Sequence, residues 1–289
     1  MAEAETPHDK SKPTHYVVVR ATGTITDSAV NQLAARLRLK PEELIAALAT
    51  SAPVPLAAFP SENDANQVAG ELGNAALQAV SVSEGALKNN VSPIILRVLE
   101  FADSGLTAVS KNGRERVFAN WPDLSLIVTG RLLTHRVEVD ERRSGSAVKP
   151  LDRREFTDDK SIIDLYSVSC EAPWRIVVSD FDFSCLAERK GLTAFDNAAT
   201  LIRTLMDRSN AEWNDSYGRV KAALAHVWPL QNTTRESRSR RPRAGRKDFA
   251  TVNASSNETQ FNNYSRLVWC LKLRELQSPG PDRQGEPGL

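Results

Sequence analysis

Gly105-Leu-Thr-Ala-Val-Ser-Lys-Asn-Gly-Arg-Glu-Arg-Val-Phe-Ala119 holds two strand-like runs on either side of Asn112-Gly113. Asn-Gly suits the type I′ turn of a tight hairpin, so the spacing predicts two antiparallel strands here. Further strands are predicted on both sides. Ile94 to Phe101 is extended and apolar. Leu124 to Val139 is too long for one ordinary strand, and a bend is expected at Gly130. Asp140 to Lys160 reads as a charged loop, and Ile162 to Cys170 and Trp174 to Phe183 as two more strands. A helix over 195–208 follows, with Phe195, Ala198, Ala199, Ile202, Leu205 and Met206 on one stripe. Residues 94–208 are therefore expected to form an antiparallel β barrel or sandwich closed by a helix.

Upstream the pattern is different. Tyr16 to Thr22 is a β-branched run, and Thr26-Asp27 opens a helix with Val30, Leu33, Ala34 and Leu37 inward. Pro41 with Glu42 and Glu43 starts a short second helix that turns Leu44, Ile45 and Leu48 inward. Val54 to Phe59 is extended, Ser61-Glu-Asn-Asp64 caps a third helix, and Leu77 to Val82 alternates as a strand. The order βααβαβ makes a small α/β sandwich over residues 15–86, and the whole chain is α+β. Gly85 and Asn89-Asn90 mark the change of pattern between about 85 and 93.

Two resemblances go with these patterns. Ser51-Ala-Pro-Val-Pro-Leu-Ala-Ala-Phe-Pro-Ser-Glu-Asn-Asp-Ala-Asn-Gln-Val-Ala-Gly-Glu-Leu72, followed by Ala-Val-Ser-Val82, resembles the C-terminal domain of the bacterial ribosomal stalk protein. The Clp-protease adaptor shares that fold. The resemblance covers residues 15–84 and implies docking of proteins or peptides. Arg38-Leu-Lys-Pro41 stands where that family has a glycine-rich approach to its second helix, and Ala76 where a glycine precedes the last strand. Residues 94–208 are similar in element order to pleckstrin-homology-like barrels, which implies a second binding platform.

The rest of the chain is read from composition. Residues 1–14 are expected to be a disordered leader and 277–289 a disordered Pro/Gly-rich tail. Residues 211–228 read as a helix with Trp213, Tyr217, Val220, Leu224 and Val227 spaced by three or four. Residues 229–258 read as a disordered basic linker carrying Arg235, Arg238, Arg240, Arg241, Arg243, Arg246 and Lys247. Residues 259–276 form a docking helix whose stripe is Phe261, Tyr264, Leu267, Val268 and Leu271.

The 37 Lys and Arg balance 36 Asp and Glu, for a formal charge of +1, which excludes a histone-like chain. Three cysteines without a CxxC pair disfavour a disulfide scaffold and a cysteine zinc finger. HExxH, GxSxG, GxGxxG and GxxxxGK[ST] are all missing from the sequence, so zinc hydrolysis, a serine nucleophile elbow and a nucleotide loop have no visible handle. No cofactor, transmembrane segment or signal peptide is expected, and the expected location is the cytoplasm.

Three residue groups could carry chemistry. Lys111, Arg114 and Arg116 flank the hairpin turn and could take an anion. Asp180 and Asp182, two apart on an expected strand, could hold a divalent metal with Glu138 or Asp164, as a hydrolase would. The 235–247 arginine run could make weak contacts with nucleic acid or another polyanion. The reading these leave is a non-enzymatic bacterial interaction or adaptor protein with a protein or peptide partner. A metal-dependent hydrolase and a nucleic-acid accessory protein are the alternatives.

Overall fold

A run of four consecutive buried residues, Tyr16 to Val19, lies on the central strand of the first of two compact units. In this computed structural model of the 289-residue chain, residues 14–21, 26–50, 52–73, 77–87, 92–144, 147–238 and 248–277 are described. The chain is α+β. Its first unit comprises residues 1–89 with 219–227, and its second residues 90–218 with 228–289.

The first unit runs β1 (His15–Ala21), α1 (Asp27–Leu37), α2 (Pro41–Leu48), β2 (Val54–Phe59), α3 (Glu62–Gly73) and β3 (Leu77–Ser83), with a single turn α4 (Glu84–Leu87) after it. The βααβαβ order is the one read from the sequence. Both flanking strands pair antiparallel with β1, in the order β2-β1-β3. The β1–β2 ladder shifts register between Val17 and Val18, where the partner is Pro55. Proline has no N–H to offer, so the ladder yields there. Thr26 caps α1, and Arg38 closes it in the left-handed conformation (φ 56°). Arg38 thus does the work of a C-cap glycine at a conformational cost. In α2 the inward residues are Leu44, Ala47 and Leu48, whereas Ile45, expected inside, is half exposed.

The second unit is one sheet. Its strands are β4 (Ile94–Phe101), β5 (Gly105–Ser110), β6 (Arg116–Asn120), β7 (Leu124–Ser144), β8 (Ala147–Ser167), β9 (Trp174–Val177), β10 (Glu212–Asn214), β11 (Gln231–Arg238) and β12 (Asp248–Ser256). They run in the order β11-β12-β7-β8-β9-β4-β5-β6, with β10 beside β7. The path is open, with β11 and β6 at its ends. Leu96, Leu99 and Leu106 of β4 and β5 share one core with Ile127, Ile163, Leu165 and Ile176 of β7 to β9. Helix α5 (Ala194–Arg208) seals that core with Leu201 and Leu205.

Four sequence expectations need correction. Asp140 to Lys160 is not a loop: β7 and β8 are each 21 residues long and pair from Leu124↔Ser167 to Ser144↔Ala147. Their charges fit a ladder because they are matched. Arg153 meets Glu155, Arg154 meets Asp152, Lys160 meets Asp158, and Arg136 lies over the Phe156 ring. Leu124 to Val139, expected to be too long for one strand, lies within the single strand β7, whose register is continuous through Gly130. A Cβ at Gly130 would come within 2.6 Å of Phe261 Cδ2, so the glycine is there for close packing.

The expected disordered linker over 229–258 instead supplies β11 and β12. They pair with each other from Gln231↔Ser256 to Arg238↔Phe249, and β12 pairs with β7 from Thr134 to Arg142. A long strand with a free edge recruits neighbours, and Thr233, Thr234, Thr251 and Val252 have the branched side chains strands favour. Residues 239–247 lie outside the described residues, as do 1–13 and 278–289. The helix expected over 211–228 is split into β10 and the short α6 (Tyr217–Leu224). Trp213, expected in its apolar stripe, is half exposed and donates its indole N–H to Thr129 Oγ1 (3.2 Å).

Helix α7 (Glu258–Gln277) covers the other face of β7 and β8, burying Phe261, Tyr264, Leu267 and Val268. Residues of β8 alternate between the two cores: Ile163 and Leu165 face α5, and Asp164 and Tyr166 face α7. Asp164 is fully buried and takes two hydrogen bonds from Arg175, 2.7 and 2.8 Å long. Ser265 Oγ donates to the same carboxylate (2.8 Å), and Arg175 reaches Asn262 Oδ1 (2.8 Å). Asn257 fixes the start of α7 by accepting from Leu133 N and donating to Arg131 O.

Removing one member of a buried pair strands the other charge, at a cost of about 3–5 kcal/mol. Arg175→Met should therefore lower stability by that amount in denaturant titration followed by tryptophan fluorescence. A loss under about 1 kcal/mol would show that the pair is not anchored as described. Gly130→Ala should cost about 1–3 kcal/mol by pushing Phe261 out of place, read as a lowered melting temperature.

Candidate functional site

The turn after β5 brings two of the sequence-derived groups together. Gly113 has a positive φ of 70°, and Asn112 does not, so the turn is not type I′, which needs both central residues there. Asn112 Oδ1 instead accepts from Ser110 Oγ (2.7 Å) and Arg114 N (2.9 Å), and the loop runs from Lys111 to Glu115. Lys111 leans out and donates to Asp180 Oδ2 at 2.9 Å. That bond, with one from Ser179, holds the Asp180 carboxyl below the ordinary carboxylate range. Arg116 pairs with Glu100 across the sheet at 2.5 Å. Arg114 makes no side-chain ion pair among the described residues.

Asp180 and Asp182 are not on a strand face. Strand β9 ends at Val177, and the two carboxylates sit on successive 3₁₀ turns, Val178–Asp180 and Phe183–Arg189. Asp182 caps the second turn, accepting from Ser184 N (2.9 Å), with Lys190 at 4.0 Å. Its own N–H donates to Arg97 O (2.8 Å), at the register shift of β4. Of the other carboxylates weighed for a metal, Asp164 is bound to Arg175, and Glu138 lies 3.3 Å from Arg136. Among the described residues no three His, Cys, Asp or Glu side chains converge as metal ligands.

These elements enclose a cleft of about 440 Å³ lined by Arg97, Glu100, Arg116, Asp182, Ser184 and Cys185. Burial pushes the Cys185 thiol up to about 11, so it stays protonated at neutral pH. Among the described residues His15 lies beside Thr14 and His226 3.8 Å from Glu43 in the first unit, and His135 lies beside Thr157 in the second. The charged lining of Arg97, Glu100, Arg116 and Asp182 suits the cleft to recognising charge.

A second feature lies just past the cleft and is absent from the sequence expectations. Phe195, expected in the buried stripe of α5, is 75% exposed, and Leu192 is fully exposed. The loop is nonetheless tightly tied. Asn197, only 4% exposed, accepts from Gly191 N (2.6 Å) and donates to Gly191 O (3.2 Å). Thr193 and Asp196 cap α5 reciprocally at 2.6 and 3.1 Å. Ala187, at φ 48° and ψ −121°, holds a backbone conformation costly for a non-glycine residue. The legible signal was Thr193-x-x-Asp196, a capping arrangement that places Phe195 in the first helical turn.

Of the arginine run, Arg235 and Arg238 are on β11, and Arg240, Arg241, Arg243, Arg246 and Lys247 fall outside the described residues. No helix of the described residues is long and apolar enough to cross a membrane. Comparison with protein-family models, curated proteins and solved structures finds no match to the chain.

The raised Cys185 thiol gives a direct check. Only the thiolate alkylates, and a group titrating near 11 gains about tenfold in thiolate per pH unit below that value. Peptide-resolved iodoacetamide labelling should therefore show the Cys185 rate still climbing from pH 8 to pH 10. A plateau by pH 8 would reveal an activated thiol.

Proposed function

We propose that the protein is a cytoplasmic, non-enzymatic interaction or adaptor protein of bacterial type. The stalk-like first unit serves as one platform, and the second unit docks a protein or peptide partner through Leu192 and Phe195. The observation that carries this reading is the pairing of exposure with rigidity in that loop. Two large apolar side chains stand in water on a backbone fixed by Asn197, Thr193 and Asp196. Exposed apolar side chains grouped on an ordered surface mark contact sites, and single scattered ones do not. Burying each contributes roughly 1.5–3 kcal/mol, and a loop already ordered loses little entropy on binding. The βααβαβ order of the first unit supports the stalk-like platform.

A photo-crosslinking amino acid at position 192 tests the reading in living cells. It should give discrete protein adducts that disappear with Phe195→Asp and do not form from exposed position 103 of the same unit. Thermal stability should be unchanged by Phe195→Asp, because the ring is mostly in water. Equal adducts from positions 192 and 103, or none from 192, would defeat the assignment.

A further inference from the structure

The second unit's sheet ends at β6, which pairs with β5 alone among the described residues. The hydrogen bonds on either side of that ladder fix which backbone groups face outward. Ser110 N donates to Glu115 O (3.0 Å), and Trp121 N donates to Ser104 O (3.2 Å). Bonded residues alternate along an antiparallel pair, so Val117 and Ala119 turn their N–H and C=O toward β5. Those of Arg116, Phe118 and Asn120 point away from the sheet. Such a row of unpaired donors and acceptors is a template for another strand.

The side chains of β6 do little to discourage one. Strand β11, at the opposite end of the sheet, keeps Arg235 and Glu236 exposed. Strand β6 has one charge, Arg116, which Glu100 already holds at 2.5 Å. On one face of β6, Val117 packs partly against the core and Ala119 is buried in it. On the other, Phe118 is half exposed. Its ring lies over Gly105, where a Cβ would come within 2.7 Å of Cζ, so the glycine makes room for it.

We propose that β6 pairs with the β6 of a second copy of this chain, antiparallel about a two-fold axis at Phe118, so that two sheets become one. In this register the strand is its own complement. Phe118 faces Phe118, Arg116 faces Asn120 in both directions, and each pair exchanges both backbone bonds. Moving the centre to either side leaves at least one of the three outward residues unpaired, and centring on Arg116 sets two guanidinium groups opposite each other. The same register carries Arg114, which makes no ion pair among the described residues, toward the Trp121–Asp123 turn of the second copy. The Asp123 carboxylate there takes a bond from Asn120 and has no cation among the described residues. A strand of another protein would meet the same backbone groups, and the match at Arg114, Arg116 and Phe118 is what favours the copy. Five residues a side cover much less than a standard interface of about 1,600 Å², so the association is weak, with a Kd of about 10–100 µM.

Sedimentation velocity of the full chain from 1 to 200 µM tests the pairing, and the coefficient should rise from monomer toward dimer across the series. Phe118→Pro removes an N–H that β5 does not use, at an edge position where proline is tolerated, and should weaken association at least about tenfold. Phe118→Lys keeps the backbone, sets like charges face to face and should do the same. Phe195→Asp should dimerise like the parent, so this proposal and the docking loop fail separately. Amide exchange by NMR reads the strand pairing itself. Phe118 and Asn120 should exchange fast when dilute and slowly when concentrated, with Val117 and Ala119 slow throughout. Matched melting curves establish that the variants are folded, and if Phe118→Pro is not, Phe118→Lys and the exchange data decide. A monomer over the whole range would overturn the proposal. So would a dimer that survives either folded variant, one that leaves the Phe118 and Asn120 amides unprotected, or one lost with Phe195→Asp.

Discussion

The buried pair of Asp164 and Arg175 is the interaction on which the second unit turns. It joins β8 to β9, and through Ser265 and Asn262 it joins both strands to α7. A carboxylate and a guanidinium out of water are tolerable only when nearly all their hydrogen bonds are made. Here the fork is bidentate, a serine supplies a further donor, and Arg175 also lies over the Phe261 ring at 5.3 Å. The demand fixes the angular position of α7, because a helix rotated by one residue would bring neither Ser265 nor Asn262 to the pair. Phe261 is then set against Gly130 of β7, where a side chain would leave no room. Tyr166 belongs to the same network. Its hydroxyl sits 2.8 Å from Ser265 Oγ, and burial raises its titration well above the ordinary tyrosine range.

How far the sequence was legible depends on what each residue type reports. Apolar periodicity reported well for α7 and the βααβαβ unit, because burial of Tyr264 or Val17 is a local demand that repeats with the element's own period. Helix α5 lies where it was expected, but it buries Leu201 from outside its expected stripe and leaves Ala199 and Met206 exposed along with Phe195. Charge reported badly. Residues 140–160 look like a solvated loop when counted along the chain. Their i, i+2 partners, such as Arg153 with Glu155, share a face only when the segment is extended, and cross-strand partners such as Arg131 with Asp159 meet only once two long strands lie side by side. Gly130 also reports through a distant partner. A glycine within a strand signals either a bend or a close neighbour, and the neighbour, Phe261, is 131 positions away.

The candidate sites show the same division. Lys111 and Asp180 each stood out as an isolated local pattern, and the fold joins them, so much of what either could have offered a ligand is spent on the other. The cleft beside them is lined by charged side chains. Leu192 and Phe195 were hidden for the opposite reason. Phe195 fits the period of α5, yet the first turn of that helix runs past the core it covers. Only a structure separates a ring on the stripe from a ring beyond its end. Asn197, a polar residue buried to clasp Gly191, shows that the exposure is held in place by specific bonds.

The distal part of the second unit's sheet poses a different physical problem. Long strands with open edges invite pairing with other chains, and proteins counter this with charge on the edge. Strand β8 carries Asp152, Arg153, Arg154, Glu155, Asp158 and Asp159 along its exposed length, and β11 carries Arg235 and Glu236. These charges are mixed in sign, and Arg153 with Glu155 and Arg154 with Asp152 are paired, which is enough to discourage an apolar strand from adding. Edge protection therefore accounts for a stretch that composition alone would assign to a solvated loop.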